Sequence, residues 1–279
     1  MTTIMVPVDG SEASKKAVPF AAQLARAQNG EVLLVRVLQP IALEYQTFET
    51  PLDPDVYENL FKSLEEQAEA EVALVRDSLT AQSIKARMMT PRGFPASTLL
   101  DVEQTEHADL VVMATHGRTG VARFALGSVA DRLVREGSVP VLLIRRDTPA
   151  GRSLKSAVVM LDGSGVAERA LSVVEQLGGK PLETVTLYQV VANADDRAAA
   201  KTYLDAVATR LGRPGLTINT MVDVGNPRQT IDRPAREHDL VILSTHGREG
   251  FDRLRHGNVA EAVVREVQAP VLLVRVSGQ

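Results

Sequence analysis

Cysteine is absent from all 279 residues. That excludes disulfides, thiolate metal sites and cysteine nucleophiles, and it fits a reducing, cytoplasmic setting. Tryptophan is absent too, and aromatics reach only 4%, so the interior must be packed from Val, Leu, Ile and Ala. No basic excess exists: the net charge of −4 provides no field for nucleic acid. No apolar run approaches the roughly 18 residues that a membrane span needs. The N-terminus lacks the basic region and apolar stretch of a signal peptide. The expected protein is cytoplasmic and binds neither nucleic acid nor membrane.

Catalytic templates are missing as well. There is no G-x-x-x-x-G-K-S/T phosphate loop. Gly163–Ser164–Gly165 lacks the third glycine of a dinucleotide fingerprint, and Asp9–Gly10–Ser11 lacks the glycine pair of a pyrophosphatase loop. Histidines and carboxylates do not cluster at metal-ligand spacing. No general base stands beside a nucleophile motif. The expectation is therefore no catalytic residue and no protein-held metal.

What is present is a stretch that occurs twice. The apolar run Leu110–Val111–Val112–Met113 reads as a buried strand. It ends at Ala114–Thr115–His116–Gly117–Arg118–Thr119–Gly120, and Gly127–Ser128 then opens a helical pattern with Val129, Leu133 and Val134 on one face. The second copy runs Leu240 to Gly250 and resumes at Gly257–Asn258–Val259–Ala260. Gly117 and Gly247 are 130 residues apart, as are Gly127 and Gly257, and Pro140–Arg145 matches Pro270–Arg275 at the same spacing. A strand, a glycine corner, a basic loop and a Gly-Ser helix start make an anion cradle, with backbone N–H groups and a helix N-terminus facing the anion.

The rest of each copy alternates strand and helix. In the first, strands are expected at 4–8, 31–38, 84–90 and 139–146. Helices are expected after the Ser11 N-cap (Ala17, Phe20, Ala21 and Leu24 inward, Asn29–Gly30 at the end) and over 56–79, 96–105 and 129–136. A polar, acidic insertion occupies Gln39 to Asp55. In the second copy the strands fall at 157–161, 185–191 and 216–224, the helices at 166–176 and 195–211, with Gly225–Asn226–Pro227 ahead of the second cradle. Asp147 to Arg152 links them. Two domains, 1–147 and 153–279, follow from this repeat.

Apolar strands alternating with helices predict two tandem doubly wound α/β domains with five-stranded, mostly parallel sheets. Ligands in such sheets sit at the carboxyl ends of the strands, where strand order reverses. Asp9 ends the first strand, Val37 the second, and the cradle follows the fourth. Asp9 and Asp162 read either as ribose ligands or as ordinary turn residues of an Asp-Gly corner. His116 and His246 read as turn residues rather than bases.

These residues resemble the universal stress protein family, whose pattern is Gly, two residues, Gly, nine residues, Gly and Ser/Thr after an opening strand that ends in Asp. The first half reads Ala114–x–x–Gly117–(nine)–Gly127–Ser128 behind Val6–Pro7–Val8–Asp9–Gly10–Ser11; the second reads Ser244–x–x–Gly247–(nine)–Gly257–Asn258. The resemblance implies a Rossmann-like fold of the adenine nucleotide alpha hydrolase type. It implies ATP, with Mg²⁺ in some members, and at most slow hydrolysis; AMP or cyclic AMP would fit the same pocket. The residues it marks are Pro7, Val8, Asp9, Val37, Met113, Ala114, Gly117, Arg118, Gly127, Ser128 and Val129 in the first half. In the second they are Asp162, Val190, Gly247, Arg248, Gly257 and Asn258, where Ser244 and Asn258 weaken binding. It further implies pairing of the last strands, Val139–Ile144 with Val271–Val274, as an internal pseudo-dimer, and a homodimer of the tandem chain. The alternatives are a non-catalytic interaction scaffold with a vestigial pocket and a slow ATPase.

Overall fold

The computed structural model describes residues 2–40, 54–115, 126–149, 151–246 and 259–276. The first half runs β1 (Thr3–Pro7), α1 (Glu12–Lys15), α2 (Val18–Gln28), β2 (Glu31–Val35), α3 (Pro54–Ala81), β3 (Lys85–Met89), α4 (Pro95–Thr105), β4 (Leu110–Ala114), α5 (Ser128–Glu136) and β5 (Val141–Ile144). The second half runs β6 (Ser156–Met160), a 3-10 turn (Ala167–Ala170), α6 (Leu171–Leu177), β7 (Thr184–Val191), α7 (Arg197–Leu211) and β8 (Thr217–Val224). Two short helices follow, α8 (Pro227–Thr230) and α9 (Asp232–Glu237), then β9 (Leu240–His246), α10 (Val259–Glu266) and β10 (Val271–Val276).

The two five-stranded sheets join edge to edge into one of ten strands, as the expected pairing of the last strands requires, in the order β3-β2-β1-β4-β5-β10-β9-β6-β7-β8. Each half contributes five parallel strands. The halves meet where β5 pairs antiparallel with β10, Leu142 opposite Leu272. Strand alternation then sends Leu142, Ile144, Leu272 and Val274 to one face, and Val141, Leu143, Val271 and Leu273 to the other. Each face therefore carries one core layer that runs through both halves, with α2, α3, α6 and α7 covering one side and α4, α5, α9 and α10 the other. An apolar strand pairing with its own repeat covers two edges that would otherwise lie exposed.

The outermost strands depart from the apolar rule. β3 and β8 are half-buried and carry Lys85, Arg87, Thr217 and Asn219, polar groups that blunt a sheet edge. The first helix is not one piece. It breaks at Lys16–Ala17 because Pro19 lies in the first turn of α2 and has no N–H to continue the ladder. Ser11 caps α1 by accepting the Ser14 N–H, and Asn29 closes α2 in the left-handed region at φ 51°. The helix expected over 166–176 likewise begins as a 3-10 turn. Between Gly225 and β9, where the sequence pattern suggested no element, Asn226 caps a short helical pair by accepting the Arg228 N–H.

Asp109 and Asp239 show how the repeat recurs in detail. Asp109 accepts the Thr3 N–H at 2.8 Å, and Asp239 accepts the Ser156 N–H at 3.0 Å, each tying the start of one strand to the next. In both halves strand order reverses beside the first strand, between β1 and β4 and between β6 and β9.

Candidate functional site

At the first of these reversals lies a cavity of about 740 Å³, within the ~300–1,000 Å³ typical of small-molecule sites. The ends of three strands form its floor: Pro7 closing β1 with Val8 and Asp9 beyond it, Val35 and Val37 at and beyond the end of β2, Met113 and Ala114 closing β4. The start of α5 forms one wall through Gly127, Ser128 and Val129. All nine of the sequence-marked residues of the first half that are described thus line one space. Gly117 and Arg118 lie outside the described residues, as do His116 and most of the Gln39–Asp55 insertion.

The cavity has a polar end and an apolar end. α5 begins at Gly127, which carries extended φ/ψ, and no side-chain cap is formed among the described residues, so its first N–H groups lie at the cavity wall. Gly127 itself is tied to the end of β4, its N–H donating to the Thr115 carbonyl at 2.8 Å. Away from that end, Val37, Leu38, Leu99, Met113 and Phe61 present apolar surface.

Asp9 is both a turn residue and a cavity residue. Its Oδ1 accepts the Ser11 N–H at 2.9 Å and the Ser11 hydroxyl at 2.6 Å. The Ser14 hydroxyl donates to the Ser11 carbonyl at 2.9 Å and accepts the Asp9 N–H at 3.2 Å. This network orients the carboxylate at the strand end. Gly10 sits at φ +83°, and a Cβ there would come within 2.2 Å of the Arg36 guanidinium. Arg36 is held in turn by Glu71 of α3 at 3.0 Å. The left-handed backbone is what favours glycine at this corner, since the side-chain ends of Arg36 and Glu71 can move aside.

Several lining residues carry no motif. Ser14 follows Ser11 by three, an ST pattern that points to a cap and not to a ligand. Phe61, Leu64 and Ala68 recur at helical spacing on α3, which reads as a core stripe. Phe61 also lies under Arg92, whose guanidinium is 4.1 Å from the ring centre. Which strand ends that stripe covers is decided only when α3 docks.

The corresponding rim of the second half is built differently. Tyr188 takes the place of Val35: the Val8 N–H donates to the Val35 carbonyl and the Leu161 N–H to the Tyr188 carbonyl, both at 2.9 Å. The Tyr188 side chain is fully buried and donates to Asp223 at 2.9 Å, with Arg233 on the same carboxylate oxygen at 2.9 Å. Burial, with Asp223 beside it, pushes the Tyr188 hydroxyl up to about 12. Ser244, in the place of Ala114, donates to the Val166 carbonyl at 2.5 Å and draws the 3-10 turn onto β9. Asp162 keeps the turn bond, accepting the Ser164 N–H at 2.9 Å, but is exposed. Val190 is half-buried against the core. Gly247, Arg248, Gly257 and Asn258 lie outside the described residues, and the side chain of His246 is not described.

The tandem doubly wound sheet, with a glycine-bounded cavity at its first switch point, defines a class, and sequence comparison says which one. The universal stress protein family matches residues 1–145 and again residues 153–275, and the chain belongs to that family. It is 25% identical over 98% of its length to a universal stress protein of Mycolicibacterium smegmatis, covering 96% of that protein. It is 26% identical, again over 98%, to one of Mycobacterium tuberculosis, covering 95% of it. Among solved structures it superposes on a universal stress protein of Archaeoglobus fulgidus with a TM-score of 0.74 at 21% identity, covering 98% of both chains. Among the described residues no helix is long and apolar enough to cross a membrane, and no three His, Cys, Asp or Glu gather to hold a metal.

Proposed function

We propose that the first half binds one adenine nucleotide, ATP in the first instance, and that occupancy adjusts how this stress protein acts on its partners. The observation that supports this reading is the convergence of nine separately marked residues on one cavity of suitable size. In this reading the apolar end around Val37 and Met113 takes the base, the Asp9 carboxylate holds the ribose hydroxyls, and the α5 N-terminus with Ser128 receives phosphate. A Mg²⁺ ion would arrive on the phosphates, since protein ligands for it do not assemble among the described residues. AMP and cyclic AMP share the base and ribose and differ only at the phosphate end. No group among the lining residues is set up as a base toward water, so slow hydrolysis is the most that this reading expects.

A second reading applies to the second half. Tyr188 and the Ser244–Val166 bond occupy the places of Val35 and Ala114, which favours a structural or scaffold role there and one nucleotide per chain. The proposed domain limits, 1–147 and 153–279, separate these roles. The last-strand edges are used up in the internal β5–β10 pairing, so a homodimer of the whole chain would assemble through another face; sedimentation tests this.

The deciding experiment is denaturing release of the small molecule that co-purifies with the full chain, identified by mass and counted per chain. Near one adenine nucleotide supports the reading. Two would show that the second rim also binds. None, with no binding on titration, would leave the scaffold reading. Asp9→Ala should lower affinity by about ten- to a hundredfold, the loss of one or two charge-assisted hydrogen bonds, whereas Asp162→Ala should leave it unchanged.

A further inference from the structure

Two arginines occupy equal places in the repeat, Arg145 after β5 and Arg275 within β10, and each reaches across the seam into the other half. Arg275 Nη1 donates to the carbonyl of Gly137, the residue that closes α5. Arg145 Nη1 donates to the carbonyls of Val264 and Arg265, in the last turn of α10, at 3.2 and 2.6 Å. Each half thus supplies a cation to the carboxyl end of the other half's last helix, where a positive charge meets orphan carbonyls and the negative end of the dipole.

The two contacts differ in what lies at the opposite end of the helix. α5 starts at Gly127 and Ser128, on the wall of the cavity, and spans only nine residues, about 13 Å. Its far end is pinned twice. Ser138 donates through N–H and hydroxyl to Oε1 of the buried Glu103 at 2.5 and 2.7 Å, and Arg275 holds Gly137. One short helix therefore connects a residue of the second half to the place where the first half is expected to receive phosphate.

We propose that Arg275 is a positioning residue for the first-half site, supplied by the second half. This rests on the nucleotide reading above. A cation at the carboxyl end holds α5 against sliding or fraying, so that its first N–H groups meet the anion in fixed register. It also favours the same dipole that the anion favours. The joining of two repeats in one chain then has a chemical consequence: the second half tunes the site of the first.

The test is calorimetric titration of the full chain with ATP–Mg²⁺ and, separately, with adenosine, which has no phosphate. Wild type is compared with Arg275→Ala, Arg275→Gln and Arg145→Ala. Arg275→Ala is expected to weaken ATP by about three- to fivefold, the size of a helix-end charge effect, and to leave adenosine unchanged. Arg145→Ala, which loosens the same seam from the other side, is expected to leave both unchanged. Where the alanine variant does not fold, Arg275→Gln, which keeps a donor and loses the charge, carries the test. An unchanged ATP affinity in the Arg275 variants, an equal loss in Arg145→Ala, or an equal loss for adenosine overturns the inference while the nucleotide reading stands. Failure of wild type to bind either ligand overturns the nucleotide reading and this inference with it.

Discussion

The two halves share strand order, turn chemistry and core faces, yet their carboxyl rims are opposites. In the first half Val35 and Ala114 are small, and the amino-terminal part of α3 stands over the strand ends with Phe61 and Leu64, leaving a cavity between. In the second half Tyr188 and Ser244 stand at the equivalent strand positions, Tyr188 bonded to Asp223 and Ser244 to the Val166 carbonyl. The covering helix is also shorter, 15 residues in α7 against 28 in α3. A doubly wound sheet offers a crevice at its switch point by topology alone. The two rims differ in the side chains at the strand ends and in the length of the covering helix.

That contrast can be broken by moving a residue across it. Val35→Tyr should fill the first-half cavity and reduce nucleotide affinity about a hundredfold, roughly 3 kcal/mol. The measurement is the thermal shift on adding ATP, with circular dichroism to confirm the fold. An undiminished shift would mean that the two rims are not equivalent at this position.

The next effect is on pH dependence and belongs to the second half alone. The Tyr188 hydroxyl stands near 12 when folded, against an ordinary value of 10. The folded protein therefore keeps a proton that the unfolded chain releases. The resulting stabilisation is complete below pH 10 and is lost as pH rises from 10 to 12, about 3 kcal/mol in all. Urea midpoints across that window should fall more steeply for wild type than for Tyr188→Phe. Tyr203, also pushed up to about 12 by burial with Glu168 beside it, remains in the variant and so cancels from the difference. Equal slopes would show that the buried hydroxyl is not held as described.

The smallest effect tests what the halves have in common. Ser11 Oγ accepts the Ser14 N–H, and Ser164 Oγ accepts the Ala167 N–H, both at 3.1 Å. Ser11→Ala and Ser164→Ala should each cost about 1 kcal/mol of stability by denaturant unfolding. Unequal costs would place a difference between the halves below the rim, in the turn itself.

Much of the fold was legible in the sequence because its signals are local or periodic. The Ser11 and Asn29 caps, the buried strands and the amphipathic 56–79 pattern each depend on residues within a few positions of one another. Of the cradle, Gly127 and Ser128 lie where the pattern put them, at the start of α5 on the cavity wall, and its other glycines lie outside the described residues. The break at Lys16–Ala17 was legible in principle from Pro19. Less visible were the contributions of Ser14, Phe61 and Thr115, ordinary residues whose place at the cavity depends on which elements dock together. Tyr188 reads as one more apolar strand residue until β8 sets Asp223 beside its hydroxyl.

By itself the sequence determined the repeat and the strand and helix alternation, since these follow from spacing, small residues and capping chemistry along the chain, while the full set of first-half site residues came with the family resemblance. Only the tertiary structure decided which side chains meet at the second rim, and that Arg145 and Arg275 each hold the other half's helix. Those outcomes depend on which distant surfaces meet and on the volume left between them. No property of a residue's sequence neighbours carries that information.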